Sequence, residues 1–304
     1  MLHAALRPTA VMIYEKKPKG CRQKVVRAQS LENLKDKYKG EGMSQSARER
    51  VKRTIANWSV GVLASQRLWQ KKGERKRRYF VMVTLTLPGK QIESDEEVKR
   101  KYLNGWLQKL KREHRELHYL WVAETQKNGN IHFHVVIDRW VDCRWVAHSW
   151  NESLACGSYI DDFEKKFGHR QPPSTKVTGQ KQMKDAALYI TKYVSKVEGR
   201  RAVSGHCWYC DDVLKELERV GLQWGERVED ELLENFRASL KNVYYGERST
   251  AYYFAEPIAA NGVLDLFLCN HRTDICSKWG RLFSELYECI GDDLPFDIFP
   301  DVEG

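Results

Sequence analysis

His132 and His134 flank Phe133 in a segment, residues 131–138, whose composition is typical of a β-strand. Side chains two residues apart on a strand project to the same side, about 6–7 Å apart at the backbone, so the two imidazoles could share one cation. Glu124 precedes them by eight and ten residues on a second predicted strand, 118–125, and Asn128-Gly129 favours a hairpin turn between the two. Two solvent-facing histidines without a metal are the alternative.

The loop length of this hairpin decides whether Glu124 joins the histidines. A three-residue or bulged loop places Glu124 opposite His132 or His134 on the same face, whereas a two-residue loop sends it to the other face. A metal site therefore predicts an odd loop here. Its two nitrogens and one carboxylate would leave open positions, which suits Mg²⁺ or Mn²⁺ bridging a phosphate.

A second group of reactive side chains lies in residues 183–197, for which the pattern predicts a helix. Tyr189 and Tyr193 are four residues apart, as are Lys192 and Lys196, so each pair shares a helix face. A phenol with a pKa of about 10 is a poor nucleophile, so it needs a nearby metal or cation. The two lysines could supply that charge and bind phosphate oxygens. A surface helix with amphipathic tyrosines is the alternative interpretation.

Three motifs in this order and spacing resemble those of rolling-circle replication initiators of the HUH endonuclease superfamily. The matching segments are Val83-Thr-Leu-Thr-Leu87, then Glu124 with His132-Phe-His134, then Tyr189-Ile-Thr-Lys-Tyr193. The two tyrosines are most similar to those of the replication proteins of single-stranded DNA phages. The resemblance covers residues 79–200.

This resemblance implies a fold, a reaction and partners. The fold is α+β, with a central five-stranded antiparallel sheet flanked by helices and helical N-terminal and C-terminal extensions. Glu124, His132 and His134 would hold a divalent metal, Mg²⁺ or Mn²⁺, while a tyrosine attacks single-stranded DNA at a replication origin. A 5′-phosphotyrosine and a free 3′-OH would result, and the second tyrosine would cut the regenerated origin so that the circle is resealed.

The sequence leaves two other functions open. The same chemistry serves transposases and plasmid-mobilisation relaxases, and a non-catalytic nucleic-acid-binding module could use the same fold. No G-x-x-x-x-G-K-[ST] nucleotide-binding loop occurs in the sequence, so unwinding would need a host helicase, and synthesis a host polymerase.

The order of elements around these residues predicts an α+β domain with helices on one face of an antiparallel sheet. We expect strands at 79–87, 118–125, 131–138 and, weakly, 175–178, and helices at 93–117, 145–154 and 183–197. The stretch 157–180 is otherwise predicted to be rich in loops. The expected domains are a basic helical N-terminal region (1–78), the HUH endonuclease domain (79–200) and an acidic, mostly helical C-terminal region (201–304).

Charge is distributed unevenly over these 304 residues, whose formal net charge is +10. Residues 1–80 carry a net +15, residues 81–200 a net +5 and residues 201–304 a net −10. The basic end indicates a polyanion partner, whereas the acidic end has no assigned role. We expect a helix from Ser44 or Ser46 to about Gln70, and then a charge run that is either a solvated linker or a phosphate-contacting loop. The candidate DNA contacts are Arg48, Lys52, Arg75, Lys76, Arg77 and Arg78.

Neither a membrane-spanning run nor a signal-peptide core is recognisable, so we expect a protein of the cytoplasm, that of the bacterial host if phage-encoded. The eight cysteines are then expected to be reduced thiols. Cys207 and Cys210 have zinc-like spacing, but Cys269 and Cys276 fit poorly as a second pair, which favours buried small hydrophobic side chains.

Overall fold

The fold is that of a computed structural model. It describes residues 2–7, 10–15, 43–71, 78–179, 201–216, 221–224, 228–247, 249–255 and 263. The chain divides into two compact units. The first unit comprises Met1–Lys16, Ala56–Arg78 and Glu216–Gly304, and the second comprises Lys17–Ile55 and Tyr79–Lys215.

The described elements are numbered here in chain order. The strands are β1 (Leu2–Arg7), β2 (Ala10–Glu15), β3 (Val81–Leu85), β4 (Tyr119–Thr125), β5 (Ile131–Ile137), β6 (Thr175–Thr178), β7 (Trp208–Cys210), β8 (Gly221–Trp224), β9 (Leu240–Gly246) and β10 (Ser249–Phe254). The α-helices are α1 (Gln45–Lys71), α2 (Asp95–Val98), α3 (Asn104–Glu113), α4 (Cys143–Leu154), α5 (Tyr159–Phe167), α6 (Asp212–Glu216) and α7 (Val228–Phe236). A π-helical segment (Lys99–Leu103) joins α2 to α3, and a 3-10 turn (Arg237–Ser239) follows α7.

The second unit contains a five-stranded sheet in the order β6-β3-β5-β4-β7, and every strand pair in it is antiparallel. This sheet confirms the predicted fold class. Side chains alternate along β5, so Phe133 lies on the face opposite His132 and His134. Phe133 packs edge-to-face on Trp121 of β4 and on Trp150 of α4, within a buried core to which the helices 95–167 contribute. The helices thus cover one face, and the two histidines project from the other.

The long helix predicted at 93–117 forms as α2, the π-helical segment and α3, from Asp95 to Glu113. Ser94 caps its first turn, because its hydroxyl accepts the Glu97 N–H while the Glu97 side chain accepts the Ser94 N–H. The expected strands and the helix at 145–154 also form, to within two residues at most ends.

One element in the second unit was not predicted. Helix α5 occupies part of the stretch expected to be rich in loops. Its first turn carries Asp161 and Asp162, and its last turn carries Lys165 and Lys166, charges that complement the helix dipole. Gly168, with a φ of 76°, ends it in the left-handed conformation.

The prediction of helical extensions at both ends is wrong for many of the described residues there. Although α1 forms close to its expected bounds, the first unit contains a second five-stranded sheet, in the order β8-β1-β2-β10-β9. Val11 of β2 and Tyr252 of β10 pair and are fully buried. These strands are short and rich in β-branched and aromatic residues, which favours sheet wherever a partner strand is available, however distant in the chain.

The helix predicted at 183–197 lies outside the described residues. Among the residues that are described, no helix is long and apolar enough to cross a membrane.

Candidate metal centre

The β4–β5 hairpin has the odd loop that the metal hypothesis required. Glu124 pairs directly with His132, and Thr125 with Ile131. The Gln126 N–H donates to the Asn130 carbonyl, which leaves a three-residue loop, 127–129. Gly129 ends this loop with a φ of 84°, the left-handed position that such loops need. The predicted register is confirmed, and Glu124 lies on the same face as both histidines.

The three polar side chains of this hairpin converge on one point. His132 Nε2 lies 2.7 Å from Glu124 Oε1, and His134 Nε2 lies 3.1 Å from the same oxygen. The two Nε2 atoms are themselves 3.1 Å apart. In the described part of the chain, this is the single group of three or more His, Cys, Asp or Glu side chains that could hold a metal ion. A surface cavity of about 460 Å³, lined by Glu124, His132 and the hairpin loop, gives access to it.

The carboxylate of this group is held in its ionised form. Burial raises the pKa of Glu124, but the hydrogen bonds and charges of His132 and His134 outweigh burial and lower that pKa to about 2. The site therefore presents a negative oxygen beside two imidazole nitrogens at neutral pH. This donor set suits a divalent cation.

A hydroxyl on the neighbouring strand orients one of the histidines. Thr84 of β3 pairs with His134, and its Oγ1 lies 3.3 Å from His134 Nδ1. We assign the hydrogen of that ring to Nδ1, so that Thr84 accepts it and the Nε2 lone pair faces Glu124 and His132. Thr86, two residues further on, instead donates to the Ser174 carbonyl. Both threonines thus have the hydrogen-bonding roles expected for this strand.

The observed donor geometry fits a metal ion. Adjacent ligands of an octahedral ion held at about 2.1 Å lie roughly 3 Å apart. The separations of 2.7 Å and 3.1 Å among Glu124 Oε1, His132 Nε2 and His134 Nε2 are close to that value. Two unprotonated imidazole nitrogens this close together repel each other unless a proton or a cation lies between them, which further favours an ion at this point.

The remaining predicted site residues divide into three groups. Tyr189, Lys192, Tyr193 and Lys196 lie outside the described residues, as do Arg75, Lys76 and Arg77. Arg48 and Lys52 lie on α1, where Lys52 is exposed and Arg48 donates to the Met43 carbonyl. Arg78 is 2% exposed and has an interaction partner within the protein, so its burial disfavours a role in contacting phosphates.

The two described cysteines of the zinc-like pattern do not form a metal group with other described residues. Cys210 is fully buried in β7, and the Cys207 thiol lies near the carbonyls of Val203 and Gly205. Burial raises the pKa of both thiols, that of Cys210 to about 11, so both remain protonated at neutral pH.

Sequence reasoning missed a polar network under the hairpin loop, which centres on Asp95 and Arg201. One signal for part of it exists in the sequence. The pattern Ser94-x-x-Glu97 marks a helix start and so places Asp95 in a first helical turn. Nothing local in the sequence indicates that Arg201, 106 residues away, is its partner.

This sheet and its histidine–carboxylate group occur in a region with a family match. Residues 80–198 match the model of a family described as replication-associated protein ORF2. The match supports a Rep-type replication initiator, as the three motifs indicated, and with it a role in DNA replication through interaction with DNA. Comparisons with curated proteins and with solved structures gave no match.

Proposed function

We propose that this chain is a metal-dependent endonuclease and strand transferase that nicks single-stranded DNA at a replication origin and later rejoins the ends. The observation that carries this proposal is the convergence of Glu124 Oε1, His132 Nε2 and His134 Nε2 within 3.1 Å of one another, in a region that matches a replication-associated family. A bound Mg²⁺ or Mn²⁺ would polarise the scissile phosphodiester and offset the negative charge that develops on it.

The protein's own groups would then carry the reaction. Glu124, His132 and His134 hold their donor atoms fixed on paired strands, so little rearrangement is needed before reaction. The phenol oxygen of Tyr189 or Tyr193 attacks phosphorus and loses its proton, while the bond from phosphorus to the 3′ oxygen breaks. That oxygen takes up a proton, which leaves a 3′-OH and a 5′-phosphotyrosine.

Storage of the phosphodiester as a protein ester explains how the ends can be rejoined without a nucleotide cofactor. In the reverse direction, a 3′-OH attacks the phosphotyrosine and releases the phenol. Two tyrosines allow one to cut while the other still carries DNA. Lys192 and Lys196 would neutralise phosphate oxygens near these tyrosines, and Arg48, Lys52 and the basic run 75–78 would contact more distant phosphates.

Two alternative functions use the same observations. Transposition or plasmid mobilisation would employ identical chemistry, and the replication-associated family favours origin nicking over both. A non-catalytic nucleic-acid-binding module is the alternative of a different class, but such a module has no need for two imidazoles and a carboxylate at one point. Host helicase and polymerase are the expected partners after nicking.

The experiment is cleavage of labelled single-stranded origin DNA by the full chain with Mn²⁺ or Mg²⁺. We expect His132→Ala and His134→Ala each to abolish metal-dependent cleavage. His148→Ala is the matched control, because this exposed histidine of α4 pairs with Glu152 on the helix surface and has no contact with the three converging side chains. Cleavage that survives in both variants would place the metal elsewhere and contradict the proposal.

A further inference from the structure

Arg201 joins three separate parts of the domain through its side chain. Its Nη1 and Nη2 donate to the two carboxylate oxygens of Asp95 at 2.6 and 2.8 Å. Its Nε donates to the carbonyl of Gly129, the last residue of the hairpin loop, at 2.7 Å. The Asp95 side chain is 2% exposed, so this two-point ion pair is shielded from solvent on its acidic side. A planar guanidinium can make these three bonds together, whereas a lysine ammonium cannot match their fixed geometry.

The same network reaches the main chain beside two of the metal-ligand candidates. The Thr125 hydroxyl, one residue after Glu124, donates to the Arg201 carbonyl at 2.9 Å. The Ile131 N–H, one residue before His132, donates to the Gln91 side chain at 2.7 Å. The Gln91 amide in turn donates to Asp95 at 2.8 Å. Residue 201 is therefore bonded to both strands of the hairpin at the end where the ligands lie.

The position of Arg201 in the sequence gives this attachment a consequence. Arg201 follows Tyr193 by eight residues and Tyr189 by twelve. Because an extended chain spans at most about 3.5 Å per residue, the covalent chain holds the α-carbons of Tyr193 and Arg201 within about 28 Å of each other. An anchor at residue 201 thus limits how far the tyrosines can move from the hairpin.

We propose that Arg201, through Asp95, is a positioning residue that fastens the carboxyl end of the tyrosine-bearing segment to the metal-binding hairpin. This inference rests on the proposed function. The metal ligands themselves do not require the anchor, since β4 and β5 hold them by direct strand pairing. What the anchor adds is a fixed attachment for the nucleophile, which raises the fraction of time that a tyrosine spends near the metal.

The test separates positioning from general stability. In Arg201→Lys the positive charge beside Asp95 remains, but the simultaneous bonds to both Asp95 oxygens and to Gly129 are lost. The matched control is Lys111→Met, which removes an ion pair of 2.7 Å between α3 and Asp211, also downstream of the tyrosine segment but not in contact with the hairpin loop. Single-turnover formation of the covalent DNA adduct is measured with the full chain at saturating Mn²⁺ and single-stranded DNA. Affinities for Mn²⁺ alone and for DNA are measured in parallel.

We expect Arg201→Lys to lower the adduct rate at least tenfold, because a misplacement of about 1 Å can slow a reaction on the order of 10²-fold. Its affinities for Mn²⁺ and DNA should stay within twofold of wild type, as should all three quantities in Lys111→Met. Thr125→Val, which leaves the ion pair intact and removes one bond to Arg201, should lower the rate by roughly threefold to fivefold. It decides the question if Arg201→Lys does not fold.

An adduct rate in Arg201→Lys equal to that of wild type would overturn the anchor while leaving the proposed function intact. An equal loss in Lys111→Met would also overturn it, since the effect would then be one of general stability. A parallel loss of Mn²⁺ affinity in Arg201→Lys would assign Arg201 to the metal site instead. A wild-type chain that forms no adduct would overturn the proposed function, and the anchor with it.

Discussion

Thr84→Val tests whether the hydroxyl beside His134 prepares that imidazole for metal binding. Valine keeps the branched shape of threonine in β3, so strand pairing and packing should survive. The change removes the acceptor for His134 Nδ1, which lies 3.3 Å away. Without that acceptor the ring can rotate, or carry its hydrogen on Nε2 and face Glu124 with a donor. The Nε2 lone pair is then available for a metal for a smaller fraction of the time.

The size of the effect follows from the length of this contact. Removing the hydrogen-bond partner of a metal-ligating histidine typically weakens metal binding by about 10-fold to 100-fold. At 3.3 Å the Thr84–His134 contact is long for a hydrogen bond, so we expect the lower end of that range. A tenfold weaker dissociation constant corresponds to about 1.4 kcal/mol. Isothermal titration of the metal-free full chain with Mn²⁺ measures it directly.

Thr86→Val is the matched control for this measurement. The same atoms are replaced two residues further along the chain, and the hydroxyl that is lost donates to the Ser174 carbonyl rather than to a histidine. Its Mn²⁺ affinity should equal that of wild type. Equal affinities in Thr84→Val and wild type would refute the assigned tautomer, and an equal loss in both threonine variants would mean that the titration reports the stability of the sheet.

Two further predictions concern stability and pH. Gly157→Ala should lower the free energy of unfolding by about 2 kcal/mol, because the added Cβ would overlap the hydroxyl of the fully buried Tyr102. In chemical denaturation the control Gly105→Ala, with no atom near its Cβ in helix α3, should gain about 0.5–1 kcal/mol, and a loss from both would contradict the clash. Burial raises the pKa of Asp95, but bonds from Arg201, Gln91 and Ser204 outweigh burial and lower the pKa to about 2, so Asp95 contributes stability above its unfolded pKa that disappears as the pH falls towards 2. Asp95→Asn should therefore lose about 2 kcal/mol less than wild type between pH 5 and pH 2 in urea titrations, whereas an unchanged acid loss would contradict this pKa.

The metal hairpin is the part of the molecule that could be predicted most fully from sequence, because its constraints are local. Alternation along a strand places His132 and His134 on one face whatever surrounds them. The even separation from Glu124 then leaves the loop length as the single unknown, and the left-handed Gly129 resolves it. Nothing in this reasoning depends on distant parts of the chain.

The features that were missed depend on contacts between distant residues. Strands β1 and β2 pair with β8 and β10, more than 200 residues later in the chain, so their local pattern alone did not identify a sheet. Arg78 belongs to a basic run that is typical of a solvated surface, yet tertiary packing buries it. The bond between Arg201 and Asp95 likewise requires the fold to bring the two residues together.

The central claim is that a tyrosine of this chain becomes joined to DNA. The most direct measurement is incubation of the full chain with 5′-unlabelled, 3′-labelled single-stranded origin DNA and Mn²⁺, followed by denaturing electrophoresis for labelled protein. We predict an adduct with wild type and none with the Tyr189→Phe/Tyr193→Phe double variant. The double variant Tyr244→Phe/Tyr245→Phe, at two exposed tyrosines of β9, should react like wild type. No adduct from wild type, or an undiminished adduct from Tyr189→Phe/Tyr193→Phe, would contradict the account.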